Sequence, residues 1–189
     1  MTQVVTGEEF LALMTRFRHT AFRLELRDRY NVPAEQERWQ AFLSGDTATL
    51  ERLNAEQRAT WMSVIRAATF AGKRVERVRV VTEPPTDYIR FELTLNAGNA
   101  EAGEDIRYLP RHQTAGLDLP RVDYWLFDSR YAVVLPFDED DVLLDMELVD
   151  DPATVVAFAS GWDTAWHNAI PYPIYAGKWA GGAERTPGA

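Results

Sequence analysis

A chain of 189 residues, with 46% hydrophobic and 26% charged side chains, fits one domain that buries enough surface to fold without a disulfide or a structural metal. It contains no cysteine, which excludes thiol catalysis and thiolate metal sites. The net charge of −9 is segregated: residues 1–111 hold 16 basic and 16 acidic groups, residues 112–189 hold 4 and 13, so the C-terminal half would repel a phosphate backbone.

The first nine residues lack the basic start and apolar run of a signal peptide, and no apolar run reaches about 18 residues, so neither export nor membrane insertion is expected and the location expected is cytoplasmic. Phe10, Leu13, Met14 and Phe17 recur at helical spacing. Phe22, Leu24 and Leu26 alternate with Arg23, Glu25 and Arg27, which favours a strand, ended by Asn31-Val32-Pro33. Ala34 to Phe42 has a helical pattern stopped by Ser44-Gly45-Asp46, and Thr47 to Leu53 suits a further helical turn. Asn54 is expected to cap a helix running through Trp61, Val64, Ile65 and Ala68 to Gly72.

Val75 to Val81 alternates and is rich in β-branched residues, hence a strand; Glu83-Pro84-Pro85 is a turn. Thr86 caps a helix whose apolar side is Tyr88, Phe91 and Leu95, with Gly98 or Gly103 at its end. Ile106 to Leu109 returns as a strand, parallel to the first by a right-handed crossover. Val122–Asp128, Tyr131–Leu135 and Val142–Leu148 read as an antiparallel meander appended to that parallel pair. Asp151-Pro152 starts a closing helix carrying Val155, Phe158, Trp162 and Trp166. The fold class expected is α/β: a mixed sheet with a βαβ core and an antiparallel hairpin extension, an N-terminal helical layer and a closing C-terminal helix. Residues 1–171 form the single domain (1–73 the helical layer, 74–171 the sheet core and closing helix), and 172–189 a flexible tail in which Trp179 is exposed.

No cofactor is expected. His19, His112 and His167 have no ligand spacing, and the dinucleotide and Walker glycine patterns are missing. The first crossover strand exits into Glu83-Pro84-Pro85, whose prolines have no N–H to offer a phosphate. Asp138–Asp141 lacks the glycine and distal glutamate of a calcium loop and reads as a solvated turn. Arginines and carboxylates near the strand ends are the better candidates, because ligands of open α/β sheets sit beyond the carboxyl ends of parallel strands. Thr82, Asp87, Leu109 and Arg111 share that rim. The candidate ligand-binding residues are Arg79, Arg90, Glu92, Glu104, Arg107, Arg121, Asp123 and Asp128, with no catalytic and no metal residue assigned. The competing reading is an ion-pair network that fixes helix and loops on the sheet.

Phe22-Arg23-Leu24-Glu25 with Tyr30, Arg77-Val78-Arg79-Val80-Val81, Pro85 through Leu93, Ala102 through Arg107 and Asp123-Tyr124-Trp125-Leu126-Phe127-Asp128 resemble a family of small actinobacterial proteins known as a domain of unknown function. Its members are often encoded beside helix-turn-helix regulators and their small acidic partners, so the resemblance implies regulation or a toxin–antitoxin-like role. The order of elements also resembles the phospholipase-D-like repeat, which carries His-x-Lys-x-x-x-x-Asp on the strand near Val122–Asp128. Laying that Asp on Asp128 puts Arg121 at the His and Asp123 at the Lys, so the resemblance implies a degenerate site without its nucleophile. The function expected is a non-catalytic binding or regulatory module working through a protein partner, such as a DNA-binding regulator, with no direct nucleic-acid contact and no membrane. The alternative is a phospholipase-D-like or other enzyme for a phosphate- or carboxylate-bearing small molecule, with Arg79, Arg90 and Arg107 on the anion and Glu92, Glu104 or Asp123 as acid and base. Direct DNA binding would need a basic stripe within residues 1–111.

Overall fold

The computed structural model describes residues 3–180. In chain order its elements are β1 (Gln3–Val5), α1 (Gly7–Arg16), β2 (Thr20–Glu25), α2 (Gln36–Ser44), α3 (Thr47–Gln57), α4 (Ala59–Phe70), β3 (Arg74–Val81), α5 (Asp87–Glu101), β4 (Asp105–Pro110), β5 (Asp123–Phe127), β6 (Tyr131–Leu135), β7 (Met146–Val149), α6 (Pro152–Asn168), β8 (Ile170–Pro171) and α7 (Tyr172–Ala180). The strands form one open mixed sheet in the order β1-β7-β6-β5-β2-β3-β4-β8. β2, β3 and β4 are mutually parallel, and β5, β6 and β7 form the antiparallel meander.

Period-two alternation sends the side chains of each strand to opposite faces. On one face Leu24, Val78, Val80, Leu109, Tyr124 and Leu126 pack under Val155, Phe158, Trp162 and Ala165 of α6. The loop before β5 lies close against α6 because Gly161 has no side chain; a Cβ would stand 2.3 Å from Pro120 Cδ. The opposite face has apolar ends and a charged middle. Ala21, Val75, Trp125, Phe127 and Val133 pack against α1 and α4 through Met14, Phe17, Met62 and Ile65. Val81, Ile106 and Tyr108 pack with Ile89, Phe91 and Leu95 of α5.

Local chemistry sets the helix starts. Thr6 and Glu9 make a capping box on α1, Asp46 caps α3, Thr86 caps α5, and Asp151 with Pro152 starts α6. The α/β class, the parallel β3–α5–β4 unit and the meander agree with the sequence reading. Four details differ. The meander joins the sheet through β2, which inserts between β5 and β3, so it does not border the β3–β4 pair. Asn54 lies inside α3, because the Asp46 side chain already caps that helix at Thr49 N (3.0 Å), and the next helix begins after Arg58. Of the two glycines expected to end α5, the left-handed Gly103 does so, in agreement with that alternative, and Gly98 lies within the helix. The last meander strand begins at Met146, since the acidic turn draws Phe137 and Leu143 into an isolated bridge first. Residues 172–180 of the expected flexible tail are helical, because the fully buried Tyr175 stacks on Tyr108 at 4.4 Å and Trp179 packs half-buried beside it. Residues 181–189 of that tail lie outside the described residues.

Candidate functional site

The charged middle of the sheet is a consequence of register. Parallel pairing sets Arg23 beside Arg77 and Glu25 beside Arg79, while antiparallel pairing sets Trp125 opposite Arg23. All four charged side chains are buried. Glu25 Oε1 accepts from Arg77 Nη1 at 2.7 Å and Arg23 Nε at 3.3 Å. Its Oε2 lies 2.7 Å from Arg79 Nη1, an ion pair whose direction does not make a hydrogen bond. Arg77 Nε also donates to Glu104 Oε1 at 2.8 Å, and Arg79 Nη2 donates to Glu92. Asp123 accepts from Leu26 N (3.0 Å), Tyr30 Oη (2.5 Å) and Arg23 Nη2 (3.3 Å).

Burial alone would push the Glu25 carboxyl up, but Arg77, Arg79 and Arg23 together outweigh it and hold Glu25 down at about 2. Asp123 goes the other way: burial raises it despite Arg23 and Tyr30, and Glu25 adds to the rise.

Above this network the helices leave a cavity of about 630 Å³. Arg23, Glu25, Arg77 and Arg79 form its floor; Glu92, Leu95 and Asn99 of α5 and Trp61 of α4 contribute walls. Leu135, Phe137, Val142 and Leu143, from β6 and the turn after it, make an apolar side. Glu35, Arg38 and Arg58 stand with Tyr88 around the remainder. Arg58 donates to Leu95 O at 3.0 Å and to Asn99 Oδ1, and has no carboxylate partner. Burial lowers its pKa, and the nearby Arg38 and Arg77 lower it further, although Glu92 opposes them. Arg38 has only a 3.4 Å contact with Glu35, whose carboxyl also accepts from Tyr88 Oη at 3.0 Å. Burial and the neighbouring Glu92 raise Glu35. Three guanidinium nitrogens among the lining residues, Arg23 Nη1, Arg38 Nε and Arg79 Nε, are buried without a partner, on side chains only 4%, 5% and 5% exposed. Buried donors of this kind cost stability unless something accepts from them.

Of the eight residues singled out by sequence, the structure brings four to this network: Arg79, Glu92, Glu104 and Asp123. The other four lie elsewhere. Arg107 projects from the opposite face, stacks at 3.7 Å on Trp166 and donates to its carbonyl. Arg90 reaches back to Pro85 O at 3.4 Å. Arg121 is exposed in the loop before β5. Asp128 is saturated by the backbone N–H groups of Arg18, His19 and Thr20 at 2.7–2.9 Å, a latch between the β5–β6 turn and the start of β2. The expected rim beyond the parallel strands is itself interlocked. Asp28 accepts from Thr82 and Arg111, and Arg111 also donates to Leu26 O and Val80 O. Sequence reasoning left out Glu25, Tyr30, Glu35, Arg38 and Arg58. Only the Arg23–Glu25 alternation carried a signal for any of them, and it also fits an ordinary solvated strand face. Among the described residues no group of three or more His, Asp or Glu side chains could hold a metal ion, and no helix is long and apolar enough to cross a membrane.

The sequence model of a family described as Domain of unknown function (DUF6879) matches residues 8–177. No curated relative matches the chain. Among solved structures the fold is similar to Nuc, a phospholipase D family member from Salmonella typhimurium, with a TM-score of 0.54 and 13% identity over 91% of this chain and 97% of that one. NucT from Helicobacter pylori gives a TM-score of 0.49 and 7% identity over 90% and 97%.

Proposed function

This chain belongs to the DUF6879 family, and from that premise we propose that it is a non-catalytic binding module whose cavity receives an anionic small molecule. The observation that carries the reading is the set of buried, unpartnered arginine nitrogens around a 630 Å³ cavity. That volume falls within the roughly 300–1,000 Å³ of small-molecule sites. An anion would supply the acceptors these donors lack and would offset Arg58, which has no carboxylate partner. The likeness to Nuc supports the scaffold. The residues that align with the phospholipase-D-like motif support binding over chemistry: Arg121 is exposed, Asp123 sits in the ion-pair floor, and Asp128 is occupied by backbone.

The cavity reading is tested by native mass spectrometry of protein purified gently from its own cells. A one-to-one complex with a small acid is expected, lost in the Arg38→Gln/Arg58→Gln variant. Ligand-free protein, together with no thermal shift from any anionic fraction of a cell extract, would overturn it. Occupancy would be passed on to a basic protein partner of the regulator class through the acidic C-terminal half, where residues 112–189 carry the whole net charge. Pull-down from native cells without a stoichiometric partner counts against that part alone.

One observation favours a catalytic reading. The Glu35 carboxyl is raised by burial and by Glu92 inside the cavity, as a general acid would be. Turnover of phosphodiester or phosphomonoester substrates that disappears in Glu35→Gln would establish it over binding.

A further inference from the structure

The cavity is not uniformly charged, and its charges count differently at two depths. On the floor three guanidinium groups, Arg23, Arg77 and Arg79, face four carboxyl groups, Glu25, Glu92, Glu104 and Asp123. Away from the floor two guanidinium groups, Arg38 and Arg58, face one, Glu35. The floor therefore has one carboxyl group more than its arginines, and the local excess of guanidinium groups lies at Arg38 and Arg58, with Glu92 acting on Arg58 from the floor. Arg38 Nε is buried without a partner, and Arg58 holds only neutral acceptors.

The rest of the wall is of another kind. Leu95, Leu135, Val142 and Leu143 are aliphatic, and Trp61 and Phe137 present rings. Phe137 lies edge-on to Tyr30 at 5.0 Å, and Trp61 edge-on to the buried Trp125 at 6.0 Å, so these rings are already held in place by aromatic contacts. A single inorganic anion would leave this wall facing trapped water, since about 630 Å³ has room for roughly twenty waters.

Resting on the binding-module reading, we propose that the ligand is an amphipathic organic acid, with one anionic head held by Arg38 and Arg58 and a ring-sized apolar body laid against the Trp61–Phe137–Leu143 wall. The head chemistry common to carboxylates and phosphate esters, two or more oxygens on one anionic centre, matches the forked donors of two arginines. The volume has room for a ring-sized body beside that head. The turn that supplies Phe137, Val142 and Leu143 is fixed to the segment after β2 by the Arg27–Asp141 ion pair and by Asn31 N donating to Asp141 O at 2.9 Å, so the apolar wall is formed before any ligand enters.

Calorimetry on the full chain tests this with four anions, 2-naphthoate, 2-naphthyl phosphate, acetate and inorganic phosphate, and with the neutral 2-naphthalenemethanol. At least one naphthyl anion is expected to bind more tightly than its headgroup alone by about ten-fold or more; which of the two wins tells carboxylate from phosphate ester. The neutral alcohol is expected to bind at least about ten-fold more weakly than that anion. Arg58→Gln should weaken the naphthyl anion, Arg58→Lys should restore part of it, and Leu143→Ala should reduce the naphthyl advantage without changing the headgroups. Headgroups that bind as tightly as their naphthyl counterparts would overturn the amphipathic assignment and leave the binding module standing. Silence from all five probes, together with ligand-free native protein, would overturn both. An alcohol that matches the acid would show that the head is not recognised, and that result needs no variant to fold.

Discussion

The two faces of the central strands make opposite arrangements from the same residues of chain. Leu24, Val78 and Val80 point to α6 and bury like an ordinary core, whereas their neighbours Arg23, Glu25, Arg77 and Arg79 point to the other side and bury as ions. Apolar burial contributes in proportion to area, roughly 25 cal/mol per Å². Buried ion pairs seldom repay their desolvation against a hydrophobic packing of the same volume. A stable sheet needs the first face. The second borders a cavity in which three arginine nitrogens still lack acceptors.

The contrast can be broken most directly at Glu25. Glu25→Gln leaves Arg23, Arg77 and Arg79 around a neutral side chain, and urea unfolding should register a loss of about 3–5 kcal/mol. Acid does the same work reversibly. Because Glu25 is held near 2 rather than at its ordinary 4.5, its contribution is complete above pH 4.5 and is lost as the pH falls from there toward 2, an effect of about 3 kcal/mol. The raised carboxyls of Glu35 and Asp123 act with the opposite sign, gaining stability as the pH falls through their own higher values. Unfolding free energies between pH 5 and 2 should therefore bend downward only on the acid side, and Glu25→Gln should flatten that limb.

Replacing both partners of a floor pair asks a different question. Arg79→Met with Glu92→Leu should be neutral or stabilising by up to about 2 kcal/mol, while Glu92→Leu alone should destabilise. A pair that proves stabilising by more than that would mean the ionic face exists for the fold itself. The smallest effect belongs to the apolar side. Asp151→Ala removes the side-chain acceptor of Thr154 N at the start of α6 and should cost about 1 kcal/mol in thermal or urea unfolding, with no change in the acid limb.

Much of the fold is legible along the chain because its signals are local. Thr86 before a helical stripe, Asp151-Pro152 before another, and a β-branched alternation between Val75 and Val81 each carry their own physical cause. The position of β2 is not local. Nothing in Phe22-Arg23-Leu24-Glu25 says that residues 74–79 will lie on one side and residues 124–127 on the other. For the same reason the site was half legible. An alternating Arg–Glu strand looks alike whether its charged face meets water or a second charged strand, so Glu25 went unnoticed while Arg79 and Glu92, one strand and one helix away from each other in sequence, were seen. Arg38 sits on α2 and Arg58 at the junction of α3 and α4, places where arginine is an unremarked surface residue, and only tertiary packing turns them inward. The helix at 172–180 was masked by composition: its Pro173 and Gly177 read as a tail, although Tyr172, Tyr175 and Trp179 recur at helical spacing.

The insertion of β2 between β3 and β5 also sets an order of events when the chain is made. This strand leaves the ribosome well before β5, and its Arg23–Asp123 contact spans 100 positions of sequence. Until that distant partner is synthesised, a row of charges meant for burial waits in water and one edge of the strand stays open to any other extended chain. The β2–β5 seam closes late, and slow, long-range closure is where misassembly competes best. A chaperone dependence that vanishes once residues beyond 127 have emerged would be the cellular trace of that single strand's place in the sheet.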